Sequence, residues 1–382
     1  MNPVRMASCV MMLVFPAIAD AGPGSTAGAT HFSKLSNAGD VLPTDAALGT
    51  GVGDWICTRD NLTGLVWEVK RDDAAHRRHM AHRYKWFERE LARNGRAPGL
   101  FAADHCAGVG RCDTERFVAE VNAEGMCGAR DWRLPTVREL ETIVDFSRVG
   151  PAVDPEYFPN TPDSYYWSAT PYSGDRSVAW YVSFNHGSAS HGFRDFALHV
   201  RLVRGGAWIT ADAAVSGDVA SNCNAAMVAA TPSGEFLDHG DGTVTDRRTG
   251  LRWQRCAEGQ RWVGDTCAGV ATLHSWSAAM AMGCTTTGGA EPCRDGWRLP
   301  ELLELRSIVE ERCHSPAIND WIFPNTPAVH FWSATPFVAY PGDAWTVDFA
   351  MGNSGYHGGA SVHAVRLVRD GRRDVRSPSY LR

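Results

Sequence analysis

Between Lys70 and Arg96 the chain gathers Lys70, Arg71, Arg77, Arg78, Arg83, Lys85, Arg89, Arg93 and Arg96 against only Asp72, Asp73, Glu88 and Glu90. Guanidinium forks match sulfate and carboxylate geometry, and the interleaved Tyr84, Trp86 and Phe87 offer faces on which sugar rings stack. This chemistry suits a sulfated or uronate-rich polysaccharide, with Arg77, Arg78, Lys85, Trp86 and Arg89 as the expected binding set. Two other readings of the same run stay open. One is a solvated insertion whose aromatics tuck into the fold, the other a contact to a different acidic surface.

Three further sets have the right residue types for a site. His76, His79 and His82 are spaced by three, so on a helix they would share a face as metal ligands do. The surrounding arginines repel a cation, and no thiolate or carboxylate completes the set. Asp238, Asp241 and Asp246 resemble a calcium loop, but the 12-position pattern ending in a bidentate glutamate is missing. Asp241-Gly242 reads instead as a tight hairpin turn. Arg133, Arg201 and Arg204, with Arg298, Arg366 and Arg369, are flanked by Trp and Val and read as internal partners rather than ligand contacts. No G-x-S-x-G elbow, H-E-x-x-H pair or phosphate loop is present. The chain is therefore expected not to be an enzyme, with no catalytic residue, no metal and no cofactor.

The elements that position these residues occur twice. Asp131 to Arg204 reappears without a gap from Gly296 to Arg369. Asp-Trp-Arg-Leu-Pro (131–135) returns at 296–300 with glycine first, Phe-Pro-Asn-Thr-Pro (158–162) at 323–327, Tyr-Trp-Ser-Ala-Thr-Pro (166–171) at 331–336 with phenylalanine first, and Val-Arg-Leu-Val-Arg (200–204) at 365–369. Roughly 30 of about 74 aligned positions are identical, which marks an internal duplication. Many of the 14 tryptophans recur in register (Trp67 and Trp253, Trp132 and Trp297, Trp167 and Trp332, Trp180 and Trp345), as shared core anchors would. The basic run breaks the symmetry, lengthening the first copy by about 21 residues.

The chain opens with an apolar run from Met6 to Ala19 that ends in Ala17-Ile18-Ala19, the pattern of a secretory signal peptide over 1–19. The run is too short for a membrane span. Export makes disulfides the natural state of the cysteines. Discarding Cys9 with the signal leaves an even set, for which the short closures are Cys106–Cys112, Cys256–Cys267 and Cys284–Cys293. Cys57–Cys127 and Cys223–Cys313 then remain. The expected layout is a flexible leader over 20–50, a first repeat over 51–206 with the basic insert at 70–96, and a linker over 207–222. A second repeat over 223–371, able to fold alone, and a basic tail over 372–382 complete it. At 382 residues the chain is long enough for two cores, and its net charge of -6 argues against nucleic acid as a partner.

Within each copy, helices are expected over Thr114–Ala123 and Ser275–Met282. A capped helix starts at Thr136 with Glu139 three residues on, and its counterpart at Glu301 should be capped more weakly. The last third of each copy alternates aromatic and β-branched residues as antiparallel strands do, so the fold class is α+β.

The run Asp-Gly-Thr-Val-Thr-Asp-x-x-Thr-Gly-Leu-x-Trp (241–253), followed in order by the repeated motifs above, resembles the family formed by the C-terminal domain of the Legionella collagen-like adhesin. Arg133-Leu134-Pro135-Thr136 with Glu139 is also similar to a motif of formylglycine-generating-enzyme-like proteins. The two resemblances imply a C-type-lectin-like fold in each copy, a twisted antiparallel sheet with two helices and long loops. Ala179 to Arg204 and Ala344 to Arg369 hold no cysteine, so the thiol chemistry of formylglycine-generating enzymes has no nucleophile. The implied function is exported binding or adhesion, with an anionic or sulfated cell-surface or extracellular polysaccharide as partner. The alternative is an envelope interaction or scaffold protein without carbohydrate specificity; a formylglycine-generating-type enzyme ranks third. The compartment is the periplasm or the cell exterior.

Overall fold

The computed structural model describes residues 31–90, 93–100, 106, 111–206, 221–282 and 296–370. The signal peptide, most of the linker, the basic tail and the Cys284–Cys293 pair lie outside these residues. The first copy contains β1 (Phe32–Ser36), β2 (Trp55–Asp60), β3 (Val66–Glu68), β4 (Tyr84–Lys85), α1 (Thr114–Glu124), α2 (Val137–Glu141), β5 (Tyr165–Pro171), β6 (Val178–Ser183), β7 (Ala189–Phe193), β8 (Ala197–Leu198) and β9 (Val203–Arg204). The second contains β10 (Phe236–Asp238), β11 (Thr243–Asp246), β12 (Leu251–Gln254), β13 (Arg261–Val263), β14 (Thr266–Ala268), α3 (Trp276–Met282), α4 (Leu302–Ser307), β15 (His330–Pro336), β16 (Asp343–Asp348), β17 (Ser354–Gly358) and β18 (Val368–Asp370). Among the described residues the protein is thus α+β and rich in strand.

Each copy builds the same two antiparallel sheets. A four-stranded sheet runs β1-β2-β3-β9 in the first copy and β10-β11-β12-β18 in the second, and a three-stranded sheet runs β5-β6-β7 and β15-β16-β17. The first sheet corrects the expected leader. Phe32 and Leu35 are buried, and β1 pairs with β2 from Phe32↔Asp60 onward, so the first copy includes β1 and reaches well before residue 51.

The repeated motifs are scaffold. In both copies the serine of Trp-Ser-Ala-Thr-Pro donates across the sheet, Ser168 to the Trp180 carbonyl and Ser333 to the Trp345 carbonyl, each at 2.9 Å. The threonine two residues on accepts from the first N–H of the short helix of its own copy, Val137 to Thr170 at 3.1 Å and Leu302 to Thr335 at 2.9 Å. These are donors that a helix N-terminus leaves unpaired. Thr136 and Glu139 form the expected capping box at α2, 3.2 and 2.8 Å. At α4, Glu304 still accepts from the Glu301 N–H at 2.8 Å, while the Glu301 carboxylate takes the Thr335 hydroxyl at 2.6 Å. Asn160 and Asn325 of the Phe-Pro-Asn-Thr-Pro motif both sit at φ 54°, a left-handed conformation that asparagine tolerates better than most residues.

Trp67, Trp132, Trp167, Trp180, Trp253, Trp332 and Trp345 are buried as expected, whereas Trp297 is half-covered with the Arg369 guanidinium 4.7 Å from its ring. The disulfides Cys57–Cys127, Cys106–Cys112, Cys223–Cys313 and Cys256–Cys267 are formed, each within one copy.

The two copies pack against each other through equivalent surfaces. Glu141 and Arg306 occupy the same position in the repeat, and they meet as a buried ion pair, Nε to Oε1 at 2.8 Å and Nη2 to Oε2 at 3.1 Å. Ala189 and Ser354 are likewise equivalent, and the Ala189 N–H donates to Ser354 Oγ at 2.9 Å. The contact is therefore a pseudo-twofold one inside a single chain. Arg138 adds an ion pair to Glu311 at 2.8 Å and a bond to the Ser307 carbonyl. Phe146 packs edge-on against Trp345 at 5.5 Å, joining the two cores.

Removing one partner of a buried ion pair leaves the other desolvated and alone. Glu141→Ala or Arg306→Ala is expected to lower stability by about 3–5 kcal/mol in urea unfolding. The exchanged pair Glu141→Arg with Arg306→Glu should recover most of that loss. Simple additivity of the two single changes would refute the coupling.

Candidate functional site

The basic insert folds across the first copy as turns and the short strand β4, which pairs with β8 (Tyr84↔Leu198, Lys85↔Ala197). Alternation along β4 and its continuation turns Tyr84 and Trp86 inward and leaves Arg83 and Lys85 outward. Two members of the expected binding set are thereby corrected. Trp86 is a core residue, fully buried, donating from Nε1 to the Ser168 carbonyl at 2.8 Å with the Arg194 guanidinium 4.0 Å from its ring. Arg78 is buried to 4% exposure under the insert, where burial lowers its pKa, and its Nη1 reaches the Val69 carbonyl. Arg77 pairs with Glu124 at 2.7 Å and Arg89 with Glu115 at 2.7 Å. Arg93 pairs with Glu90 and Glu88. Arg83 and Lys85 have no ion-pair partner among the described residues.

His76, His79 and His82 lie in turns, not on a helix. His76 accepts from the Arg78 N–H at 3.1 Å, and His79 meets His82 edge-on at 5.1 Å. Asp238, Asp241 and Asp246 are engaged by Arg255, Arg252 and Arg248. The recurring arginines are internal. Arg133 forks onto Glu139 and Arg298 onto Glu304, all bonds 2.6 to 2.7 Å.

A groove of about 1000 Å³ opens where the insert, the Arg-Leu-Pro-Thr and Ala-Thr-Pro segments of the first copy and residues 227–230 of the second converge. Its apolar lining includes Phe87, Val118, Leu134, Val137, Pro171 and Met227, and its rim charges Arg93, Arg133 and Arg138 are paired with carboxylates.

The outward faces of the two three-stranded sheets differ most in chemistry. Their inward faces match, Tyr166 with Phe331, Trp180 with Trp345 and Val182 with Val347, all buried. Outward, the first copy carries Tyr165, Tyr181, Gly192, Phe196 and Leu198, where the second has His330, Thr346, His357, Ser361 and His363. The second face forms a histidine cluster with ring centroids 4.5 Å (His357–His363), 4.6 Å (His330–His357) and 5.4 Å (His330–His363) apart, and His363 packs edge-on to Trp332 at 4.7 Å. Thr346 Oγ1 lies 3.1 Å from His357 Nδ1 and 3.3 Å from His330 Nδ1. Burial, then His357 and His330, push His363 down to about 4, and burial followed by His330 lowers His357. In the first copy burial, then Lys70, pushes His199 down to about 4.

Burial makes His199, His357 and His363 harder to protonate when folded, while the unfolded chain takes up protons near pH 6.5. The unfolded state then binds more protons, so stability is fully present above about 6.5 and declines as pH falls toward about 4. Thermal melting at stepped pH should show this decline, and His363→Leu, the residue at the equivalent position of the first copy, should flatten it. An unchanged pH dependence in that variant would count against the cluster as its source.

Sequence reasoning missed the aromatic and histidine faces because their members come from separated strands. It also missed the Glu141–Arg306 pair, although opposite charges at one repeat position were visible in the alignment.

The family model described as the Lcl C-terminal domain matches residues 56–204 and 242–369. No curated protein and no solved structure shows a significant match to the chain. The two matched segments span most of the chain and correspond to the two structural copies, so the protein belongs to the Lcl C-terminal domain family, with two tandem copies of that domain.

Proposed function

We propose that this is an exported protein with an adhesin-like role that binds anionic polysaccharide through its first copy. Family membership supports the adhesin-like part. The four disulfides, and the finding that no helix among the described residues is long and apolar enough to cross a membrane, agree with export. The antiparallel sheets with short helices and long loops agree with a C-type-lectin-like architecture, a fold that serves binding and catalysis alike.

The observation that carries the polysaccharide reading is the outward side of the insert. In a chain of net charge -6, Arg83 and Lys85 face outward with no ion-pair partner among the described residues, and the ion pairs of Arg77 and Arg89 in the same insert are solvent-exposed. Exposed pairs of this kind contribute little to stability, about 0–1 kcal/mol, so a polyanion displaces their carboxylates at small cost. Trp86 and Arg78 serve this site only by holding the insert down.

The groove at the junction of the copies favours a second reading, a protein partner in the envelope seated on its apolar lining. Ala169→Trp, which fills the groove, would then abolish crosslinking to that partner and leave polysaccharide binding intact.

Heparin is the direct probe of the first reading. Binding should weaken steeply between low and physiological salt, because the contacts are between exposed charges. Arg77→Ala, Arg83→Ala, Lys85→Ala and Arg89→Ala together should abolish it while changing stability by no more than about 0.5 kcal/mol per site. Absence of heparin binding at low salt would remove this reading, and unchanged binding in the quadruple variant would move the site elsewhere.

A further inference from the structure

We infer that the outward face of β5–β6–β7 carries a stacking surface for the pyranose rings of a polysaccharide, built from Tyr165, Tyr181 and Phe196, with Phe193 set against Phe196 at the strand's end. The inference rests on the reading of the first copy as the polysaccharide-binding one and names the part of the ligand that charge does not recognise, its carbohydrate rings.

The rings form one strip. Tyr165 and Tyr181 meet edge-on at 5.0 Å, and Phe193 and Phe196 do so at 5.8 Å. Gly192 joins the two pairs, since a Cβ there would lie 3.1 Å from the Tyr181 ring and 3.4 Å from the Phe196 ring. Three of the rings stand open to solvent, Tyr165 at 46%, Phe193 at 52% and Phe196 at 49% exposure. A run of exposed aromatics of this kind costs solubility and marks a recognition surface.

The second copy supplies an internal control. It folds the same sheet with His330, Thr346, Gly358 and Ser361 at the four equivalent positions. The sheet therefore has no structural need of aromatic side chains there. The inward residues, which packing does require, are retained in both copies.

The flanking groups decide the class of ligand. Lys85 is the strand partner of Ala197, next to Phe196, and Arg83 lies two residues before it on the same outward side. A strip of rings bordered by cations and tyrosine hydroxyls suits a chain with apolar C–H faces, hydroxyl edges and negative charge. A wholly apolar partner would leave Lys85 and Arg83 desolvated and unpaired. The exposed rings lie where this face, buried at Trp167 and Ala179, meets solvent, so a polymer longer than the strip can extend beyond it.

The test uses the full mature protein and two polymers of one backbone, heparin and fully desulfated, N-acetylated heparin. Tyr165→His, Tyr181→Thr and Phe196→Ser place the second copy's residues on the first copy's sheet, so the triple variant is expected to fold, as circular dichroism would verify. It should lose at least tenfold in affinity for both polymers while the slope of heparin binding against salt stays as in the wild type. Arg83→Ala with Lys85→Ala should flatten that slope and leave the desulfated polymer unaffected. If the triple variant binds as the wild type does while the charge variant fails, the stacking surface is refuted and the anionic-polysaccharide reading stands. If the wild type binds neither polymer, that broader reading fails and this inference with it. A change of sedimentation coefficient in the triple variant without loss of polymer binding would assign the strip to self-association and likewise overturn the proposal.

Discussion

A buried guanidinium holds each copy together. Arg201 and Arg366, the second residues of the repeated Val-Arg-Leu-Val-Arg motif, are fully buried. Arg201 donates to the Glu68 carbonyl at 2.9 Å and to Thr161 Oγ1 at 2.6 Å, with the Phe158 ring beside it at 5.1 Å. Arg366 reaches the Gln254 and Arg255 carbonyls and Thr326 Oγ1, with Phe323 at 4.9 Å. One side chain thus ties the closing strand to the end of β3 or β12 and to the Phe-Pro-Asn-Thr-Pro loop. A buried charge is costly unless its donors are met, so these three segments have one arrangement that satisfies it. The first copy also buries a Glu68–Lys70 ion pair at 2.8 Å. The second has Gln254 and the disulfide cysteine Cys256 in their places.

Once the frame is fixed in this way, the remaining surfaces are free to diverge. Duplication produced two copies of one inward face, and a pseudo-twofold contact buries part of each copy's surface against the other. At that contact the repeat positions 141 and 306 carry opposite charges, which a symmetric pair of identical residues would not allow. The two copies therefore share an interface with its own buried ion pair.

The outward sheet faces escaped both constraints. One became aromatic and lies beside outward cations from the insert; the other became a histidine cluster. A two-copy binding protein gains from such divergence, because a single scaffold then presents two chemistries. The insert contributes by covering Trp167, whose Nε1 donates to the Tyr84 carbonyl at 3.0 Å, and by bringing Arg83 and Lys85 to the edge of the aromatic strip.

Sequence alone determined the duplication, the shared tryptophan anchors, the α+β class and the capping box at Thr136. Each of these rests on local spacing or on repetition, which a linear reading detects. It did not determine which basic residues are accessible. Arg78 and Arg77 are adjacent in sequence, yet one is buried and the other paired at the surface, because strand pairing and the path of the insert decide which way a side chain points. The first strand was mistaken for leader, since the five residues of β1 carry little pattern of their own and gain order only from pairing with β2. Tyr165, Tyr181 and Phe196 become one surface only when three strands and a turn align, as do His330, His357 and His363. Chain order records which residues a protein owns; the sheet's register and the burial of its arginines decide which of them meet, because those are set by contacts between residues far apart in the chain.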